Sequence, residues 1–169
     1  HKPIKSKLFA QNRKRIAELM APKALAVINA NDVLPTNADG TLPMQPNADL
    51  FFLTGIEQEE SILVLFPDAA DEKHREILFV RQPNEQLQIW EGYKHTKADA
   101  RKISGVKNVK WLSEFPVLFR SLMCEAESAY LNSNEYKRAN VEVQTRDMRF
   151  ISQCQSDFPL HQYRRLAPL

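Results

Sequence analysis

The chain has 169 residues, 43% hydrophobic and 26% charged, a balance that suits one globular domain and excludes a disordered tail, a collagen repeat or a coiled-coil array. Its 23 basic and 21 acidic side chains leave a formal net charge of +2, too small to read as a nucleic-acid footprint. Two cysteines, Cys124 and Cys154, lack metal-ligand spacing and read as reduced, packed thiols in a chain long enough to bury a core without staples.

The basic opening His1-Lys2-Pro3-Ile4-Lys5-Ser6-Lys7 leads into no apolar stretch of signal length, and the longest apolar runs are of strand length. The chain opens on His1 rather than Met, as an excised piece of a longer polypeptide would, and a cytoplasmic home is the default expectation. From Ser6 to Met20, Leu8, Phe9, Ile16, Leu19 and Met20 recur at helical spacing. Ser6 is the candidate N-cap, Pro22 the stop, and Arg13-Lys14-Arg15 a solvated basic face. Ala24–Asn29 is a continuous apolar run that suits a strand buried on both faces.

Residues 30–45 carry Asn31-Asp32, Pro35, Asp39-Gly40 and Pro43 and read as a long loop. Leu50-Phe51-Phe52-Leu53 reads as a strand. Ser61–Phe66 and Glu76–Val80 read as two more, paired as a hairpin around Pro67–Asp71. Thr96 and Asp99 stand at capping-box spacing before a helix to Ile103, and Lys107–Trp111 is a short strand. Ser113 is the candidate cap of a helix with Phe115, Leu118, Phe119 and Leu122 on one face and Pro116 in its first turn. Ser128–Asn132 reads as a last strand, Val141–Gln153 as a weaker helix, and residues 157–169 as an irregular linker after a domain of residues 1–156. Strands interleaved with helices make this an α/β layered domain, with a mixed sheet because of the hairpin.

Catalytic constellations are mostly absent. The sequence has no His-Glu-x-x-His, no Gly-x-Ser-x-Gly elbow and too few glycines for a phosphate loop. His1, His74, His95 and His161 are scattered, and His74 lies in a charged turn that suits solvent better than a ligand. No catalytic or metal-ligating residue is expected within the chain.

Two stretches stand out. In Asn47-Ala48-Asp49-Leu50-Phe51-Phe52-Leu53-Thr54-Gly55, Asn47 and Asp49 can fix a turn through local backbone bonds, and Gly55 can leave it at positive φ. In Leu78-Phe79-Val80-Arg81 and then Gln88-Ile89-Trp90-Glu91-Gly92, a strand ends in an arginine and a tryptophan arrives before a glycine. With Glu59–Leu65 between them, and in this order, these stretches resemble the N-terminal domain of Xaa-Pro aminopeptidases, in the creatinase/prolidase (pita-bread) family. The likeness runs from about Phe9 to Leu122 and more loosely to Leu169. It departs from the family's text at Gln45, Pro46 and Gln88.

The resemblance implies a three-layer α/β/α domain of ribonuclease H-like shape with a mixed sheet. It also implies a non-catalytic role: joining subunits into a homodimer or homotetramer, packing against a C-terminal catalytic domain, and limiting access to that domain's active site. A dinuclear manganese centre is expected in that absent domain and no cofactor here. The parent would cleave the bond before a proline at the second position of a peptide, with neither nucleic acid nor membrane as partner. Trp90 is the expected substrate contact, reaching toward a neighbouring subunit, since an indole offers a flat apolar surface to a proline ring. Its alternative is an anchor packed near Leu87 and Ile89. Asn47, Asp49, Gly55, Arg81 and Gly92 are expected as structural-motif residues, with Arg81 pairing to Asp49, Glu91 or a backbone carbonyl. Other readings are a catalytically dead creatinase-like module binding peptides or histones through an acidic surface, or the corresponding domain of a prolidase or creatine amidinohydrolase.

Overall fold

Ala24–Asn29 forms strand β1 with every side chain buried, and the rest of the chain is arranged around it. The computed structural model describes residues 5–30, 35–37, 40–41, 48–58, 60–83, 96–131, 146–166 and 169. Helix α1 (Ser6–Leu19) precedes β1, and a small ribbon of β2 (Pro35–Asn37) and β3 (Gly40–Thr41) follows it. Next come α2 (Ala48–Thr54), β4 (Ile62–Leu65), β5 (Glu76–Val80), α3 (Lys97–Ser104) and β6 (Asn108–Trp111). The chain closes with α4 (Phe115–Glu125), β7 (Ser128–Leu131), α5 (Arg146–Asp157) and β8 (Gln162–Arg165).

Six strands make one sheet in the order β6-β5-β4-β1-β7-β8. Only β4 runs against its neighbours, β1 and β5. The pairs β1–β7, β5–β6 and β7–β8 are parallel. The β4–β5 hairpin expected from the sequence is present, with Ile62 opposite Phe79 and Leu65 opposite Glu76.

Strand alternation divides the core into two slabs. Ala26, Ile28, Leu63, Leu65, Leu78 and Val80 face α1, α2 and α3, where they meet Leu50, Leu53, Ala100 and Ile16. Leu25, Val27, Val64, Ile77 and Phe79 point the other way, onto α4 and α5. There Phe119 packs on Phe115 (5.0 Å between ring centroids), on Phe150 (5.4 Å) and on Phe158 (6.1 Å). Both faces of the sheet are therefore covered, and the three-layer α/β/α architecture with a mixed sheet stands as expected.

Local chemistry explains several helix ends. Thr96 and Asp99 form the capping box, each side chain bonding the other's backbone N–H (3.1 and 3.2 Å), and Gly105 ends α3 at φ +77. Pro116 sits in the first turn of α4. Ser113, by contrast, lies inside a 3-10 turn, Leu112–Glu114, and does not cap α4; Glu114 instead takes the N–H of Trp111 at 2.8 Å. Ser6 does not cap α1 either, since Lys5 occupies that position without a side-chain bond.

Three larger differences have clear causes. Leu50–Leu53 is helix, not strand: Leu50 and Leu53 are buried while Phe52 is exposed, a spacing of three that a four-residue apolar run does not reveal by itself. The 157–169 stretch is not irregular, because Gln162–Arg165 extends the sheet beside β7 and Leu166 enters the core. Cys124 is exposed on α4, whereas Cys154 is buried as expected; both are free thiols.

Candidate functional site

Because β1, β5, β6 and β7 run parallel, their carboxyl ends share one rim of the sheet, and β4 starts there. Ala30, just past β1, donates its N–H to the Ser61 carbonyl at 2.9 Å. Arg81, just past β5, brings Nε to 3.9 Å from Glu60 Oε2, an ion pair between described residues. Gln58, buried, reaches the Arg81 carbonyl with Nε2 at 3.5 Å. Glu60 adopts φ +60, a left-handed conformation uncommon outside glycine. The Arg81 of the sequence motif thus ties the end of β5 to the turn that launches β4.

Of the other singled-out residues, Asp49 is exposed in the first turn of α2, where a carboxylate complements the helix dipole. Gly55 leaves α2 at φ +70, as its place in the sequence predicts. A Cβ there would sit 2.5 Å from the ring of Phe9, so the position needs glycine for space as well as conformation. Asn47, Trp90 and Gly92 lie outside the described residues.

Sequence reading misses the residue that organises this face. Arg13 is not on the solvated side of α1; it is only 1% exposed and reaches beneath α2 and α3. Its Nη1 donates to the carbonyls of Leu53 (2.7 Å) and Ser104 (2.8 Å), and its Nε to Glu76 Oε1 at 2.9 Å. Asn12, beside it, donates to the Phe52 carbonyl at 2.9 Å. These acceptors belong to the last turns of α2 and α3, whose carbonyls have no intrahelical partner and carry the negative end of the helix dipole.

Both helices finish on the same chemical pattern, Thr54-Gly55-Ile56 and Ser104-Gly105-Val106. Each hydroxyl donates back four residues (to Leu50 at 2.7 Å, to Ala100 at 2.6 Å) and accepts the N–H two residues on. Each glycine is left-handed, and the residue after it is buried. One guanidinium therefore closes two like helix ends and fastens them to β5. The available signal was that Phe9, Arg13, Ile16 and Met20 form one stripe, which places Arg13 in the middle of the core-facing side.

On the opposite layer, the Tyr163 hydroxyl lies 2.7 Å from the carbonyls of both Cys154 and Phe158, joining β8 to the end of α5. Burial, and then the Asp157 carboxylate, push the Cys154 thiol up to about 12. Burial, then Cys154 and Asp157, do the same to the Tyr163 phenol, also to about 12. Both groups hold their protons at neutral pH, so Cys154 is the reverse of an activated thiolate. Among the described residues no three His, Cys, Asp or Glu side chains are placed to hold a metal ion, and no helix is long and apolar enough to cross a membrane. The described side chains brace, cap and pack.

Residues 9–131 match the family model described as the aminopeptidase P, N-terminal domain. The chain is 28% identical over 135 residues to an Escherichia coli (strain K12) Xaa-Pro aminopeptidase, covering 80% of this chain but 30% of that protein. It superposes on a structure assigned to aminopeptidase P from Bacillus anthracis with TM-score 0.87 and 24% identity, over 98% of this chain and 39% of that one, a likeness that speaks to the fold. On E. coli aminopeptidase P in complex with substrate the TM-score is 0.73 at 25% identity, over 99% of this chain and 38% of that one. The chain thus spans about a third of the length of these relatives. With residues 9–131 matched and the mixed sheet in place, the chain belongs to the aminopeptidase P N-terminal domain family.

Proposed function

We propose that this chain is the non-catalytic N-terminal part of a metal-dependent Xaa-Pro aminopeptidase, and that it contributes subunit contacts and restricts entry to an active site carried elsewhere in the parent. The observation that carries the reading is the family match over residues 9–131. The relatives are longer, which leaves room in the parent for the reacting centre. One E. coli aminopeptidase P structure is zinc-substituted and holds product. The proposed parent is a metalloenzyme; a dinuclear manganese centre formed outside this chain and a cytoplasmic home belong to the same proposal.

Trp90 is the residue assigned to substrate. It follows the β5–Arg81 segment by nine positions, and Arg81 with Glu60 fixes where that segment leaves the sheet. A proline ring is rigid and apolar, so an indole gains contact with it at little entropic cost.

The test uses both the chain and its parent. With manganese and an Xaa-Pro peptide, the 169-residue chain should show no turnover, while the parent should release the first residue. Measurable hydrolysis by the chain alone overturns the division of labour. In the parent, Trp90→Ala should lower kcat/KM about tenfold or more while leaving Tm nearly unchanged, because the lost contact is to substrate. A large fall in Tm with little kinetic effect assigns Trp90 to packing instead.

A further inference from the structure

Helix α1 has two outward flanks of different chemistry. On the flank toward α2, Leu8 is 49% exposed and Phe52 is 52% exposed. The helices meet here, where Asn12, one turn beyond Leu8, donates to the Phe52 carbonyl at 2.9 Å. Leu19, 61% exposed, continues the same side of α1 eleven residues on, about 16 Å away at the helical rise. The core-facing positions of these helices are already filled by Phe9, Leu50, Leu53 and Ile16, so the exposed three are not spare core.

On the flank toward α3, the exposed side chains are cationic. Lys7 and Lys14 lie on α1 and Arg101 and Lys102 on α3, while Arg15, seven residues after Leu8 and four before Leu19, carries a further cation onto the Leu8–Leu19 side. The helices adjoin here, since a Cβ at Gly105 would lie 3.4 Å from Ser6. Among the described residues Lys7, Lys14, Arg15 and Lys102 make no ion pair, and Arg101 turns its Nε to the Lys107 carbonyl at 3.1 Å. The carboxylates on these helices are fewer: Glu18 on α1, Asp49 at the first turn of α2, and Asp99, which its own capping box occupies.

An apolar centre beside an unpaired cationic margin is the anatomy of a protein interface. A second copy meeting it face to face would set like charges opposite one another, which disfavours self-association through this surface. A nucleic acid would use the cations but leave Leu8, Leu19 and Phe52 without a role. A bilayer needs a continuous apolar stripe, and Gln11, Lys14 and Glu18 crown the helix instead. We infer that the outer surface of α1, α2 and α3 docks an acidic protein surface with apolar side chains at its centre. This goes beyond the function proposed above and does not depend on it.

The probe is a synthetic peptide of Glu and Asp interspersed with Leu and Phe, titrated into the 169-residue protein. Polyglutamate, phosphatidylserine vesicles and a DNA duplex are run as competitors. Saturable binding of the peptide is expected, weakening as salt rises. Leu8→Ser with Phe52→Ser should weaken it about tenfold, as should Lys14→Glu, Arg15→Glu and Lys102→Glu together. Leu8 and Phe52 are about half exposed and the three cations are exposed, so unfolding midpoints should fall only modestly and each variant should stay folded at the assay temperature; Phe52→Leu, which keeps the apolar contact, should bind as the parent sequence does. Absence of peptide binding overturns the inference. So does equal binding of polyglutamate, indifference to either set of substitutions, or preference for vesicles or duplex.

Discussion

Arg13 concentrates the consequences of burying a charged side chain in a helical layer. Its guanidinium serves two carbonyls at helix ends and one carboxylate, so no single smaller group replaces it. Arg13→Met should cost about 3–5 kcal/mol in urea unfolding, because it strands two buried acceptors and removes the partner of Glu76. Arg13→Lys should recover only part of that loss, since an ammonium cannot span the same acceptors. Glu76→Gln should cost about 1 kcal/mol, because Glu76 is 39% exposed and water can replace part of the bond. The two helix-end glycines offer a matched pair. Gly55→Ala meets both a left-handed backbone and the Phe9 ring at 2.5 Å; Gly105→Ala meets the same backbone but nothing nearer than 3.4 Å. Gly105→Ala should therefore cost about 1–2 kcal/mol and Gly55→Ala clearly more, read from urea midpoints.

At the scale of elements, α5 and β8 are joined by the Tyr163 hydroxyl over the Cys154 and Phe158 carbonyls, beside a protonated buried thiol. This junction should weaken in alkali. In the unfolded chain the thiol titrates near 9.0 and the phenol near 10.0, while in the folded chain both keep their protons until about 12. Below pH 9 both states are protonated and neither group makes stability depend on pH. Between 9 and 12 the unfolded state releases its protons first, so stability falls as pH rises. A thermal melt series from pH 8 to 11 should show a declining Tm, with a shallower decline in Cys154→Ala. An equal slope in that variant would remove Cys154 from the account.

Across the whole molecule, the sheet depends on its last strand. β8 completes the edge beside β7 and brings Leu166 into the layer formed with α1, α2 and α3. Truncation after residue 158 would leave β7 as an open edge and remove both Tyr163 contacts. Such a chain should express largely as aggregate, or melt well below the full one by circular dichroism. Equal stability of the shortened chain would show that the fold is complete without β8. The distribution of charge also acts at this scale. The outer surface of α1 and α3 is basic, whereas a histone-binding module would present an acidic one.

Most of the layered plan was legible from patterns that act within a few residues. The all-apolar β1, the β4–β5 hairpin, the Thr96–Asp99 capping box and the positive φ of Gly55 each follow from local chemistry, and the order of motifs was enough to suggest the family. What the sequence left open was decided by contacts between distant segments. Leu50–Leu53 became helix because its burial runs on a spacing of three against α1 and the sheet. Gln162–Arg165 became a strand because β7 offered a free edge. Arg13 turned inward because α2 and α3, forty and ninety-one residues along the chain, bring unsatisfied carbonyls to the same point beneath α1. A short segment records its own periodicity and its turns; it holds no trace of which remote donor will meet which remote acceptor until the layers have packed.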